Sequence, residues 1–212
     1  VTMTTWPGSA DCGSTVMDAG IADAEGGVTV GTKIGASVVG IVGGVSVSFT
    51  ERARGGIGVV PLSPEHQRFP KGYIMMRGRD EMLILPEDPM IRRRGNFLEI
   101  LGPPIEPKLG FDSFAGWFAY QMPNDLAFVK TYKTYPKRLY GEIAGLTLSI
   151  WYPKKDRVPA CELEPIGPME IIKPGQKASF TENWYLLKNP YPKKNSQLDL
   201  QLLESKVKPL LK

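Results

Sequence analysis

Short apolar runs, each ended by glycine, proline or charged residues, follow one another from residue 55 to residue 189. Apolar runs of about four to eight residues with such boundaries are typical of β-strands, and short connections between them favour antiparallel pairing. Two pairs of runs predict β-hairpins, namely YIMM with MLILP and FAGWFAYQ with LAFVKTY. A last hairpin is predicted between VPACELEPIGPMEII and KASFTENWYLL, with its turn at KPGQ.

Further strands are predicted at GGIGVVPLSP, NFLEIL and EIAGLTLSIWY. The last of these is apolar at both parities, which indicates a strand buried on both faces. Only the tail from residue 196 to residue 212 has helical spacing, and Ser196 is the predicted N-cap. The pattern therefore predicts an all-β fold, an antiparallel β-sandwich over residues 51–195 followed by a short C-terminal helix over residues 196–212.

The first 50 residues differ in composition from the rest of the chain. They carry one basic and four acidic residues, whereas residues 51–212 carry 25 basic and 18 acidic residues, and they hold 10 of the 23 glycines. One interpretation is a glycine-rich segment that forms edge strands at VTVGTKIG and SVVGIVGGVSVSF. The other is a sandwich that is truncated or wrongly started at its N-terminus, which would leave sheet edges exposed and predicts a homodimer through those edges.

Charge and cysteine usage exclude several classes of function. The net charge is +4, and the basic residues are spread along the chain rather than gathered on one face, so we expect no nucleic-acid partner. Cys12 and Cys161 have no metal-type spacing and there is one histidine, so we expect no metal site and no cofactor. The uncharged run from residue 34 to residue 50 is too short and glycine-rich for a membrane span, and no signal peptide is visible, which makes a cytoplasmic protein the expectation.

The strand CELEPI carries two carboxylates at alternate positions, Glu162 and Glu164. Residues i and i+2 of a strand share a face, so the two carboxylates point the same way. In a cleft their pKa values would separate and one would become a general acid or base near neutral pH, whereas on a solvated face the pair would have no chemical role. Lys130 is a single charge in an apolar strand, and a buried lysine needs a partner, for which Glu164 is a candidate.

Several other residues have side chains that could bind a ligand, and each also has an ordinary structural interpretation. His66 is the only histidine and reads most simply as a surface-loop residue. Arg68 and Lys71 suit a sugar hydroxyl or carboxylate, or else belong to a polar loop. Trp117 has the flat apolar face of a sugar platform but also the size of a core residue. Glu182 shares a face with Trp184 and is predicted near the carboxylate strand, and residues 92–94 are interpreted as a solvated turn.

Three segments resemble an uncharacterised family of the galactose-mutarotase-like superfamily, whose members are antiparallel supersandwiches. They are GGIGVVPLSPEHQRFPKGY, then FAGWFAYQ with LAFVKTYKTYP, then CELEPIGPMEIIKPGQKASFTENWYL. The resemblance covers about residues 54–189 and rests on the combination E-x-E-x-x-GP, an apolar pair, PG and SxTExWYL. It does not extend over residues 1–50.

The resemblance implies a carbohydrate-binding cleft on a concave sheet face, with a sugar or sugar acid as the partner. It implies Glu164 as the base of an aldose 1-epimerase, with Glu162 in reserve and with Lys71, Tyr120 or Lys130 as the acid. The superfamily's catalytic histidine has a poor match in His66. Two alternatives stay open: a non-catalytic carbohydrate-binding or interaction module, and a detached accessory domain of a polysaccharide-active enzyme.

Overall fold

The computed structural model describes residues 3–4, 28–31, 39–42, 45–48, 55–63, 68–77, 81–152, 160–174 and 176–211. These residues form fifteen β-strands and one α-helix, α1 (Leu200–Val207). Sheet A has the strand order β1 (Met3–Thr4), β4 (Val45–Ser48), β14 (Ala160–Glu170), β13 (Leu148–Trp151), β10 (Lys108–Phe111), β6 (Ile74–Arg77) and β7 (Glu81–Leu83), and β3 (Val39–Val42) also pairs with β14. Sheet B has the order β2 (Val28–Gly31), β15 (Thr181–Lys188), β12 (Leu126–Tyr132), β11 (Trp117–Gln121), β5 (Ile57–Pro61), β9 (Phe97–Ile100) and β8 (Ile91–Arg94).

Alternate residues of the two sheets meet in one apolar layer. Leu109, Ile150 and Leu163 point inward from sheet A, and Leu98 and Phe118 point inward from sheet B. All five are buried, and they belong to one continuous hydrophobic cluster. Because every pairing between strands is antiparallel and the two sheets share this layer, the fold is the all-β antiparallel sandwich that the sequence predicts.

The outer face of sheet B is covered by α1. Leu200, Leu203 and Val207 recur at helical spacing and pack over the sheet. Trp117 lies under this helix, 4% exposed, with its ring centroid 6.2 Å from that of Phe97. Of the two interpretations of Trp117, a sugar platform and a core residue, the structure supports the core residue. A buried indole cannot serve as an open sugar platform.

The N-cap of α1 is Asp199, three residues after the predicted cap, Ser196. Asp199 has extended backbone angles, and its carboxylate accepts a hydrogen bond from the backbone N–H of Leu202 at 2.9 Å. Ser196 instead donates to the carbonyl of Lys193. The prediction of Ser196 as the N-cap is therefore wrong, because Asp199 supplies the capping carboxylate.

Two predicted hairpins are confirmed and one is wrong. β6 pairs with β7, and β11 pairs with β12. The predicted hairpin of β14 and β15 does not form, since β14 pairs with β13, β4 and β3 in sheet A whereas β15 pairs with β12 and β2 in sheet B. The chain crosses between the sheets there, and Gly175 of the predicted turn lies outside the described residues.

The arginine run from residue 92 to residue 94 is a strand, not the predicted solvated turn. Arg92 and Arg94 lie on the same face of β8, and both form ion pairs with Glu99 of β9, at 2.8 and 2.6 Å. Glu99 is fully buried, and Arg94 also donates to Gln197 and to the carbonyl of Leu198. This cluster attaches the segment before α1 to the edge of sheet B.

The outer face of sheet A is partly apolar and partly polar among the described residues. Phe69, Ile74, Met76, Leu146 and Ile166 form a small apolar cluster over one part of it. Beside this cluster the same face carries polar and charged residues, and the site described next lies there.

Candidate functional site

A group of polar residues occupies the outer face of sheet A across three adjacent strands. Glu164 of β14 is directly opposite Ser149 of β13, which is opposite Gly110 of β10. The neighbours of these residues along each strand, such as Leu163 and Ile150, pack in the inner layer, so the polar set points outward. We name this surface the carboxylate face and define it by Lys108, Glu142, Ser149, Trp151, Glu162 and Glu164.

Glu162 and Glu164 share this face, as the two-residue spacing predicts. Glu162 is opposite Trp151, which is opposite Lys108. Both glutamates are half-buried. Neighbouring strands are about 4.8 Å apart, so the carboxylates on β14 and the ammonium on β10 stand roughly 10 Å apart at their bases, with β13 as the floor between them.

Burial raises the pKa of Glu164 above its usual value, and the charge of Glu162 adds to the shift. The ammonium of Lys108 opposes this shift. Within the described ranges Glu164 forms no hydrogen bond and no ion pair. A carboxyl group with a raised pKa exchanges its proton closer to neutral pH than an ordinary glutamate does, which suits general acid–base chemistry.

Ser149 forms the floor of the carboxylate face and is 1% exposed. Its hydroxyl has no hydrogen-bond partner in the described part of the chain. Most buried polar groups in proteins are satisfied, so this unpaired buried hydroxyl, next to a half-buried carboxyl, is an exception.

The other residues of the face supply charge and shape. Lys108 is 3.5 Å from Glu142, with both side chains partly exposed. Trp151 is half-buried and lies on β13 between its two cross-strand neighbours, Glu162 of β14 and Lys108 of β10. The side chain of Leu146 packs directly against Gly110. A Cβ atom at position 110 would be 2.5 Å from the Cδ1 atom of Leu146, so the position has room only for glycine.

Lys130 and Glu182 are buried on the inner side of sheet B, away from the carboxylate face. The Lys130 ammonium is 2.9 Å from the Glu182 carboxylate and donates to the backbone carbonyl of Leu163 at 2.7 Å. It also lies 5.1 Å from the ring centroid of Trp184, whose indole N–H donates to Glu182. The predicted pairing of Lys130 with Glu164 is therefore wrong, and the partner is Glu182. Lys130 extends from sheet B to the inner side of sheet A, whereas Glu164 points from the outer side of sheet A.

Burial lowers the pKa of Lys130, whereas the Glu182 carboxylate raises it. The ammonium is fully enclosed, so a substrate cannot reach it from outside. Lys130 and Glu182 were predicted as catalytic and substrate-binding residues, and the structure gives them a place in the interior instead. The shared face of Glu182 and Trp184, which strand alternation predicts, is confirmed.

The remaining predicted residues are scattered. Arg68 donates to the carbonyl of Gly145 at 2.6 Å, in the loop that holds Glu142, so it is at the rim of the carboxylate face. Lys71 is 3.3 Å from Glu87 in another loop. Tyr120 points into the inner layer, where its hydroxyl accepts from the N–H of Gly56 and burial raises its pKa to about 12. His66 lies outside the described residues.

Ser149, Lys108, Glu142 and Trp151 were not identified from the sequence. The alternation of LSIW does place Ser149 and Trp151 on one face, and KLGF places Lys108 on the face opposite Leu109. What the sequence does not contain is the order of strands, which sets β13 and β10 beside β14. A single chain gives no signal for that order.

A second concavity of about 300 Å³ lies on sheet B near the end of the chain. Threonine hydroxyls, Lys133 and Leu211 line it. It holds none of the residues that the sequence singles out, and no unpaired buried group points into it from the described ranges.

No family model, no curated protein and no solved structure matches this chain. The described part of the chain contains no group of His, Cys, Asp and Glu side chains arranged to hold a metal ion. No helix within the same residues combines the length and the apolar character that crossing a bilayer requires.

Proposed function

We propose that the chain is a carbohydrate-binding protein of galactose-mutarotase-like supersandwich fold, and that it acts as an aldose 1-epimerase on the carboxylate face. The observation that carries the proposal is Glu164, a half-buried carboxyl with a raised pKa beside the unpaired hydroxyl of Ser149. The resemblance of residues 54–189 to that superfamily supports the same position as the base.

The sugar ring would lie over β13, between the carboxylates of β14 and Lys108 of β10. Glu164 would take the proton of the anomeric O1–H group, so that C1 and O1 form a carbonyl. The bond between C1 and the ring oxygen breaks, and the ring oxygen takes a proton from the Lys108 ammonium. Rotation about C1–C2, followed by the reverse transfers, returns both protons and yields the other anomer.

Lys108 replaces the acids that the resemblance suggested. Lys130 and Tyr120 face the inner layer, and Lys71 belongs to another loop. Lys108 is the ammonium whose charge acts on Glu164 from the same face. Trp151 would offer an apolar surface to the sugar ring.

The same surface suits a second candidate, a non-catalytic carbohydrate-binding module. Such a module needs the indole and the carboxylates but no matched acid and base. The epimerase and the binding module would both use the carboxylate face, but only the epimerase would convert one anomer into the other.

Anomer exchange measured by NMR on a panel of aldoses tests the proposal. We expect exchange faster than in buffer alone, and a loss of about a hundredfold or more in Glu164→Gln. Glu170→Gln is the matched control, since Glu170 is on the same strand but pairs with Arg138 at 2.6 Å. Line broadening of a sugar without exchange would replace the epimerase by the binding module, and no response to any sugar would refute both.

A further inference from the structure

We infer that one end of the sandwich docks on an anionic lipid bilayer, where two exposed aliphatic side chains enter the headgroup region and the cations around them bind the lipid phosphates. We name this surface the basic end and define it by residues 133–140, 170–174 and 176–178. The inference is independent of the proposed function, because the basic end contains no residue of the carboxylate face.

Three strands that end or begin at the same end of the molecule assemble the basic end. β12 ends at Tyr132, and its last residues pair with the first residues of β15. The ring centroid of Phe180, just before β15, is 6.2 Å from that of Tyr132. β14 ends at Glu170, whose carboxylate is 2.6 Å from the guanidinium of Arg138. The segment after β12 and the segment that joins β14 to β15 therefore lie side by side.

Two tight turns shape the basic end. The N–H of Arg138 donates to the carbonyl of Tyr135 at 2.9 Å, and the N–H of Gln176 donates to the carbonyl of Lys173 at 3.0 Å. In each turn a proline directly follows the first residue, a position that suits its fixed φ. The Tyr135 ring centroid lies 5.5 Å from the Lys133 ammonium and 5.9 Å from the Arg138 guanidinium. The first turn and its tyrosine ring thus hold two cations together at the surface.

The basic end has a large excess of positive charge. Its one carboxylate among the described residues is Glu170, which is already paired. Glu142, just beyond it in the chain, pairs with Lys108. No lysine of the basic end forms an ion pair with a carboxylate of the described ranges. Five exposed cations stand against one carboxylate, a net charge of +4, and they are Lys133, Lys137, Arg138, Lys173 and Lys177. Such a surface attracts anionic lipid headgroups.

Two aliphatic side chains project from the middle of these charges. Leu139 is 74% exposed and Ile171 is 77% exposed, which makes them the most exposed large apolar side chains of the described chain. The carbonyl of Leu139 accepts a hydrogen bond at 2.7 Å from the N–H of Met169, two residues before Ile171, so both belong to the same surface. Exposed aliphatic side chains among lysines and arginines are typical of proteins that bind a membrane at its interface.

A bilayer fits both features of the basic end better than other partners do. A second copy of the chain would bring the same positive charge and would be repelled. A nucleic acid would neutralise the cations but would offer no apolar phase to Leu139 and Ile171. The sequence predicts no membrane partner because it contains no candidate span, whereas docking at the interface requires a surface of this kind and no span.

Cosedimentation of the full chain with lipid vesicles tests the inference. We expect binding to phosphatidylcholine vesicles that contain about one third phosphatidylserine, no binding to phosphatidylcholine alone, and weaker binding at high salt. Lys137→Gln with Lys173→Gln should weaken binding at least about tenfold, since each cation near the surface contributes about fivefold. Leu139→Ser with Ile171→Ser should weaken it at least about fivefold at unchanged charge.

Each double variant has a matched control. Lys193→Gln with Lys194→Gln removes the same charge from two exposed lysines that follow the other end of β15. Leu186→Ser with Leu202→Ser removes two exposed leucines outside the basic end, 50% and 37% exposed. Both controls should bind the anionic vesicles as the wild type does.

Three results would overturn the inference. The first is equal binding, or none, to the anionic and the neutral vesicles. The second is an equal loss in the lysine variant and its control, which would show that net charge and not the basic end is responsible. The third is full vesicle binding by Leu139→Ser with Ile171→Ser together with equally tight binding of poly-glutamate to the wild type. That result would assign the surface to an acidic polypeptide instead of a bilayer.

Discussion

Two glutamates of strand β14 illustrate how much the surroundings of one residue decide. Glu164 is half-buried beside Glu162, and burial raises its pKa. Glu170, on the same strand, accepts two hydrogen bonds from Arg138 at 2.6 and 2.8 Å, and these lower its pKa. The same side chain therefore opposes folding at one position when it is ionised and favours folding at the other.

Glu164→Gln should stabilise the fold near neutral pH. The folded-state pKa of Glu164 lies above the ordinary value of 4.5, so its stabilising contribution is complete below that pH and is lost as the pH rises through the folded pKa. Glutamine keeps the shape of the protonated form and cannot ionise. The free energy of unfolding of the variant, measured by urea denaturation across pH, should equal that of the wild type in acid and exceed it at neutral pH.

Glu170→Gln provides the opposite sign in the same experiment. The lowered pKa of Glu170 gives a contribution that is present above the ordinary value and lost as the pH falls through the folded pKa. This variant should therefore be slightly less stable than the wild type at neutral pH. A Glu164→Gln protein that is less stable than the wild type at neutral pH would contradict the described environment of Glu164.

The buried pair of Lys130 and Glu182 should behave as one unit. Lys130→Met leaves the Glu182 carboxylate buried with the Trp184 indole as its remaining donor in the cluster, and Glu182→Gln leaves the ammonium buried with the carbonyl of Leu163. Breaking a buried pair costs about 3–5 kcal/mol. The double variant should cost clearly less than the two single variants together, as measured by denaturation followed through tryptophan fluorescence. Additive losses would show that the two charges do not interact.

At the scale of elements, local sequence patterns predicted most of the strands, but they did not predict which distant strands pair with one another. FAGWFAYQ and LAFVKTY pair because four turn residues join them, and the alternation of CELEPI correctly places Glu162 and Glu164 together. The hairpin of β14 and β15 fails because the intervening chain changes sheets, which no local signal encodes. Strand β8 was missed because three consecutive arginines resemble a polar turn unless the buried partner of Arg92 and Arg94, Glu99, is known.

The start of α1 gives a test at this scale. Asp199→Ala removes the carboxylate that accepts from the N–H of Leu202, and loss of an N-cap costs about 1 kcal/mol. Ser196→Ala removes a hydroxyl that bonds only the carbonyl of Lys193, so its effect should be close to zero. Urea denaturation of both variants compares them directly. A larger loss for Ser196→Ala would restore the cap predicted from the sequence.

At the scale of the whole molecule, each sheet ends in strands that pair with a single neighbour among the described residues. β7 is the last strand of sheet A and β8 is the last strand of sheet B, and the chain runs from one to the other. Asp88 accepts hydrogen bonds from the N–H groups of Met90 and Ile105, which joins two loops at this end. The interpretation of the chain as a truncated sandwich predicts exposed edges, but which strands end the sheets follows from the strand order alone.

We propose this edge as the contact surface of the predicted homodimer. Large apolar side chains are exposed around β7 and the following loop, among them Ile84 at 54%, Leu85 at 65% and Ile105 at 70%. A free strand edge beside such side chains favours pairing with a second copy, which would bury them and complete the backbone hydrogen bonds of β7. Light scattering coupled to size exclusion should therefore give twice the monomer mass, and Ile84→Lys with Leu85→Lys should give the monomer. Leu139→Lys is the control, since Leu139 is 74% exposed in a different segment. A monomer at high protein concentration would refute the dimer, and a dimer that persists in the double variant would place it on another surface.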